Sequence, residues 1–368
     1  MVNDSNTSEI FSKTPINGPT NIVRLQSEKK VLYLMFDVHE DVQYQTKCSQ
    51  NNAINIEQFL HLTFQNIKEP LDFFIESSQE NLVDKSFGES TLSENYITNT
   101  QKWVNRNFEK VNGKIKSSKN YPNIRFHYTD FRNVFEHLEL NDIDILSFGE
   151  EFRSIVVNLK SLLNNTTMET NTSKENNRKK IISKILSKYK NKNIKEGILN
   201  YIQKVYEPTI NTIIEFYDSK IVKIRKYVKK LSYPTNKFNS VGYGLEYSKE
   251  KKYNYKIDKF ANQLVVYWLD LFINLTDLYF IRRLLDKDYI KRAVLYSGSF
   301  HCINIIQILC RHFKFEITHA YYCKIPIEQI NKIILENDKD DVYKITKFFS
   351  PTYIHQCATL ENFPSWFT

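Results

Sequence analysis

Glycine and proline are scarce in this 368-residue sequence, at eight and nine residues. A sandwich or propeller needs many tight turns built from them, so those architectures are disfavoured. Cysteine numbers five, an odd count, and no CxxC pair occurs. Neither a disulfide framework nor a structural zinc site is expected, and reduced thiols are the simpler reading. Cys302 and Cys310 are expected to pack as small hydrophobes. No Walker loop and no GxGxxG is present, and Ser299 lacks the Gly-x-Ser-x-Gly elbow of serine hydrolases. The first 26 residues contain no apolar core, so no secretion signal is expected. The most apolar helical stretch, Phe260 to Leu285, is interrupted by Asp270, Asn274 and Asp277. Charge at the centre of a membrane span is costly, which predicts a buried helix there and an intracellular protein.

Aromatic residues, by contrast, are plentiful, with 25 Phe and 23 Tyr, enough for a substantial core. Apolar runs of strand length alternate with stretches of helical spacing, which predicts an α/β fold with a mixed or parallel sheet flanked by helices. Residues 1–28 are polar and read as a disordered arm. Strands are expected at 30–39, 71–75, 123–128 and 293–297, and a further one follows the helix 302–312. The run NNTTMETNTSKENN at 164–177 reads as a linker. The expected organisation is a first α/β half over 29–163, a helical insertion over 164–245 and a second α/β half over 246–368.

The net charge of +9 is concentrated in the insertion. Residues 178–231 carry 15 Lys and Arg against four acids, while the rest of the chain is slightly acidic. One reading is a solvated helical face. The other is a surface for nucleic acid or an anionic membrane, sequence-independent because lysine dominates and no DNA-binding motif occurs.

In parallel α/β sheets, ligands bind beyond the carboxyl ends of the strands. Four predicted strands end in polar groups: Asp37, His39 and Asp41; Glu76; His127, Asp130 and Arg132; and Gly298-Ser299-Phe300-His301. On an extended backbone Asp37, His39 and Asp41 would face one side and could approach one ion. Such a set suits a divalent metal, or a general acid and base with an orienting partner. Arg132 suits an anionic group or an oxyanion. Each also has a plainer reading, as a satisfied strand-end histidine, a capping carboxylate or a surface ion pair.

Leu32 to His39, Leu71 to Glu76 and Ala293 to His301 resemble, in that order, three strand ends of the TIKI/TraB group. That group reads Tyr-Leu-Phe-Gly-Thr-x-His, then a strand ending in glutamate, then Gly-x-x-His. ChaN-like and erythromycin-esterase-like folds are related to it. The resemblance implies a metal-dependent hydrolase of peptide or ester bonds, with His39, Glu76 and His301 holding a manganese- or cobalt-class ion. Asp37 and Asp41 are candidate additional ligands, and His127 and Arg132 candidate catalytic residues. The richness in Asn, Lys, Ile and Tyr also resembles uncharacterised proteins of large DNA viruses. The competing expectation is therefore a non-catalytic viral binding or structural protein that uses its lysine-rich helices.

Overall fold

The computed structural model describes residues 13–40, 48–50, 52–78, 95–111, 114–115, 118–130, 145–164, 173–187, 189–230, 238–239, 244–245, 251–337, 342–351 and 355–364. The chain divides into two compact units, one of residues 1–130 and 280–368 and one of residues 131–279. The first is α/β, as its alternation of apolar runs and helical spacing predicts.

Its centre is a six-stranded mixed sheet. The strands are β2 (Asn21–Gln26), β3 (Val31–Asp37), β5 (Leu71–Ser78), β8 (Ile124–Asp130), β11 (Arg292–Gly298) and β12 (Glu316–Ala320), in the spatial order β12-β2-β3-β11-β5-β8. From β3 to β8 all pairings are parallel, while β2 runs antiparallel to both of its neighbours. β3 and β11 are buried almost throughout, which explains why they read as continuous apolar runs. The register pairs Gly298 with Asp37 and Ile75 with Tyr296, so three strands finish together on one rim.

Alternation sends Tyr33, Met35, Phe73, Ile75, Val294 and Tyr296 to one face, where they pack with helix α1 (Ile56–Asn66) and helix α2 (Tyr96–Asn107). The intervening residues face the other way. There Phe280 meets Phe74 edge-to-face at 5.0 Å, and Phe349 lies 6.3 Å from Phe36. Helix α8 (Ser299–Phe313) follows β11 directly, and its residues 301–310 are all buried, as expected of a helix apolar nearly all round. It ends at Lys314, whose left-handed backbone (φ 56°) returns its N–H to Leu309 O. At the outer strand β12, the side chain of Asn331 accepts from Ile317 N and donates to Ile317 O, at 3.0 and 2.9 Å.

Two expectations are corrected in this unit. Part of the supposed N-terminal arm is structured: β1 (Ile16–Asn17) pairs with β13 (Cys357–Ala358), and β2 forms a full sheet strand with Ile22, Val23 and Leu25 wholly buried. The polar residues around this short strand mask its three apolar side chains. Cys48 and Cys357 form a disulfide, with Cα atoms 5.0 Å apart, where reduced thiols were expected. They lie 309 residues apart in sequence, and the β1–β13 pairing brings them near each other, with Cys48 N donating to Asn17 Oδ1. Cys302 and Cys310 lie buried and outside the disulfide, as expected of small hydrophobes.

The second unit is built on helices. These are α3 (Ile145–Leu163), α4 (Ser173–Leu186), α5 (Lys192–Tyr201), α6 (Glu207–Lys230) and residues 251–279 of α7 (Lys251–Asp286), with one π-helical turn over Ile202–Tyr206. The unit is wider than the expected 164–245 because α3 packs on α6. Gly149 comes so close to Tyr217 that an added Cβ would sit 2.8 Å from its ring. The ion pairs Arg153–Asp218 and Arg225–Glu150 join the same two helices. One window of α7 has the length and composition of a membrane span, but 56% of it is buried inside the fold. Leu271 O and Asn274 Oδ1 accept from Tyr206 and Tyr201, so α7 packs as a core helix.

Candidate functional site

The shared rim of β3, β11 and β5 gathers three of the residues singled out in the sequence. Glu76 is buried at the end of β5. Its Oε2 accepts from Ser297 Oγ at 2.9 Å and from Gly298 N at 2.7 Å. The second of these bonds places the carboxylate against the positive end of α8, which favours its charge. His39 Nε2 stands 3.4 Å from Glu76 Oε2, and His301 Nε2 stands 3.3 Å from Glu76 Oε1. One carboxylate is thus flanked by two imidazoles from opposite ends of the chain.

Asp37 serves His39 rather than standing beside it. The chain does not stay extended beyond β3: His39 adopts a left-handed conformation (φ 55°) and folds back. Asp37 Oδ2 then lies 2.7 Å from both His39 N and His39 Nδ1. This corrects the expectation that Asp37 and His39 face one ion side by side. The carboxylate instead fixes the ring's orientation, with Nε2 aimed at Glu76. Asp37 Oδ1 accepts from Tyr296 Oη at 2.7 Å and from Gln356 Nε2 at 3.5 Å, and Ser299 Oγ donates to Asp37 O. Burial, followed by the neighbouring Asp37 charge, raises the Tyr296 pKa well above the usual phenol value, so it remains a donor.

Burial works against a charge on His39. The hydrogen bonds to Asp37 and Glu76, and the charges of those groups, outweigh it and raise the His39 pKa to about 10. Its side chain is 41% exposed, whereas those of Glu76 and His301 are nearly sealed, so His39 is the group presented to solvent. Gly298 is required by this crowding. A Cβ there would lie 2.8 Å from His39 Nε2 and 3.3 Å from Glu76 Oε2.

His127 is not part of this cluster. It shares a sheet face with Glu76 but bonds Asp72 Oδ1 at 2.7 Å, about 13 Å back along the strand at 3.3 Å per residue. Asp72 also takes Arg125 through two nitrogens, and the His127 ring lies 4.4 Å from Phe74. The arrangement is an ion cluster apart from the rim, and the catalytic expectation for His127 gains no support from its place there. Asp41 and Arg132 lie outside the described residues. The sequence reading missed Tyr296, Ser297 and Gln356. The first two carried a signal, as polar groups on the last turn of a buried strand, while Gln356 carried none.

A family model described as a family of unknown function (DUF5847) matches residues 14–158 and 141–368. The chain belongs to this family. Its relatives include three uncharacterized proteins of Acanthamoeba polyphaga mimivirus. R161 is 28% identical, covering 96% of this chain and 98% of its own length. R160 is 29% identical over 96% and 97%, and R706 is 26% identical over 96% of each. No solved structure matches. These DUF5847 relatives carry the resemblance to proteins of large DNA viruses, whereas affiliation with the TIKI/TraB group gains no support from them.

Proposed function

We propose that the rim of the sheet unit is a hydrolytic centre for a peptide or ester bond, served by a divalent cation of the manganese or cobalt class. The observation that carries this reading is the convergence of His39 and His301 on the Glu76 carboxylate, at 3.4 and 3.3 Å. The donors fit such an ion in kind, as two imidazole nitrogens and a carboxylate oxygen. The two His–Glu separations match the ligand–ligand edge of a tetrahedral site, about 3.4 Å for ligands about 2.1 Å from the ion. Among the described residues no group of three or more His, Cys, Asp or Glu is placed to hold a metal ion as it stands. The bonds of Glu76 to Ser297 and Gly298 hold it turned onto β11, and an ion would have to draw it away.

A bound ion would supply Lewis acidity and a water of lowered pKa. The chain's own contribution is orientation. Asp37 holds Nδ1 of His39, so Nε2 stays turned to Glu76 and is the nitrogen offered to an ion. Ser297 and Gly298 hold the Glu76 carboxylate in place, and His301 closes the buried side.

The test is metal analysis of the purified full chain beside the double variant His39→Ala/His301→Ala. The wild type should retain more manganese or cobalt and gain thermal stability when either ion is added. Equal, negligible metal in both proteins, with no stabilisation of the wild type, would rule out the metal centre.

A second reading concerns the helical unit and is favoured by one observation. Over residues 220–230 of α6 there are six basic residues and no acid, and Lys220, Lys223, Lys226 and Lys229 are exposed. Such a face suits the phosphates of nucleic acid or of an anionic membrane. The viral origin of the relatives points to work in the infected cell or in the particle.

A further inference from the structure

We infer that the Cys48–Cys357 bridge is a thiol-controlled switch, which holds the rim cluster in place when closed and loosens it when reduced. This names the regulation of the rim and rests on the hydrolytic reading only for what is regulated. The bridge reaches the cluster through one carboxylate. Gln356, the neighbour of Cys357, donates through Nε2 to Asp37 Oδ1 at 3.5 Å. The other oxygen of that carboxylate, Oδ2, stands 2.7 Å from both His39 N and His39 Nδ1. Asp37 thus takes the histidine on one side and the residue beside the disulfide on the other. Cys48, at the far end of the bridge, belongs to the chain that leaves β3 through His39.

Little else fixes Gln356 locally. Its carbonyl accepts from Gly18 N at 3.1 Å, and the next two residues form β13, which pairs with the equally short β1. Strands of this length hold weakly unaided. Further on, Ala358 and Leu360 are buried in the core, so the tail stays docked when the bridge opens and the change is confined to the rim. The sulfurs are also within reach, because Cys48 and Cys357 are only half-buried, whereas Cys302 and Cys310 are sealed. Accessible bridges of this kind are the labile, regulatory ones. The reductant is a dithiol. Its thiolate attacks one sulfur, the S–S bond breaks, and its electron pair leaves on the other sulfur, which takes a proton. The second thiol of the reagent then displaces the first cysteine, which is protonated in turn. The reagent ends as a disulfide and the protein gains two electrons and two protons. Asp37 then keeps Tyr296 but loses the hold of Gln356, and the His39 ring gains freedom.

The test is the rate at which diethyl pyrocarbonate labels His39 in the full chain, read by mass spectrometry of its peptides well below the melting temperature of each form. Reduction with dithiothreitol, removed before labelling, should speed the reaction at His39 by about threefold, the factor that one weak hydrogen bond is worth. Re-oxidation with glutathione disulfide should restore the slower rate. Cys48→Ser/Cys357→Ser should label as the reduced wild type does, with or without reductant. Gln356→Ala should raise the rate while the bridge stays closed. His61, whose ring is held by Tyr121 on the far side of α1, should label equally in every form. Equal labelling of His39 in both thiol states, a rise shared by His61, or no rise in Gln356→Ala would overturn the switch. The labelling needs no metal, so a positive result stands even where the wild type binds neither manganese nor cobalt and the hydrolytic reading fails.

Discussion

Two residues outside the histidine pair show how closely the sheet unit is fitted. At Gly298 the absent side chain lets His39 approach Glu76. Gly298→Ala should push the imidazole from the carboxylate, destabilise the protein by about 1–3 kcal/mol through overpacking, and lower metal uptake. Thermal melting and metal analysis on one preparation would check both, and a variant indistinguishable from wild type would show that the close approach is idle. Asp72 carries the opposite case, a buried charge that needs its partners. Burial would raise its pKa, but Arg125 and His127 outweigh that and hold it below the ordinary value of 3.8. Its stabilising contribution is therefore complete above that value and is lost as pH falls through the depressed one. Burial also lowers the His127 pKa below 6.5, so the unfolded chain binds that proton first and stability already falls as pH drops below 6.5. Asp72→Asn should cost about 3 kcal/mol at neutral pH, less whatever solvent screens at Arg125, whose side chain is 34% exposed. The variant's melting temperature should also vary less with pH below 4 than the wild type's. An unchanged melting temperature at neutral pH would refute the structural role.

Among the elements, strands buried on both faces were legible in the sequence, and so were helices with a clear apolar stripe. β3, β5 and β11 fall where apolar runs stand, and β8 falls on the strand candidate that follows Pro122. β2 was not legible, because it is short and enters from a polar segment. The carboxyl-end rule placed His39, Glu76 and His301 together, since parallel strands in register deliver their ends to one rim. The same rule misplaced His127, whose position along β8 lies short of the strand end. Nor could it show the reversal at His39, because a left-handed residue leaves no periodic mark. The lysines of α6 are an element-scale feature with an element-scale test. With Lys220, Lys223, Lys226 and Lys229 replaced by glutamine, affinity for a fluorescent DNA duplex should fall. The slope of log affinity against log salt should flatten by about 0.9 for each phosphate that is no longer neutralised. An anionic vesicle serves as the parallel probe. Wild-type binding to either that is absent at low salt, or does not vary with salt, would leave those lysines as a solvated surface.

At the scale of the whole molecule, the Cys48–Cys357 bridge ties the segment after β3 to the end of the chain. Gln356, next to it, reaches Asp37, so the covalent tie borders the rim cluster. Composition argued against any bridge, because connectivity over 309 residues is decided by pairing and not by spacing. Cys357→Ser should lower stability by about 2–4 kcal/mol, read as the urea midpoint, and dithiothreitol should bring the wild type to the same value. A midpoint insensitive to reduction would show that the bridge contributes nothing. The division of the chain at residues 130 and 280 was harder to read, because the helices of the second unit begin before the obvious linker and end inside α7.

The amide clasp of Asn331 on Ile317 has a consequence for how copies of this chain meet. A terminal strand with open amides and carbonyls invites a neighbouring molecule to add a strand of its own, the first step towards fibres. Here the outward-facing groups of Ile317, near the start of that strand, are already taken by a side chain from the same molecule, which opposes ribbon growth in that direction.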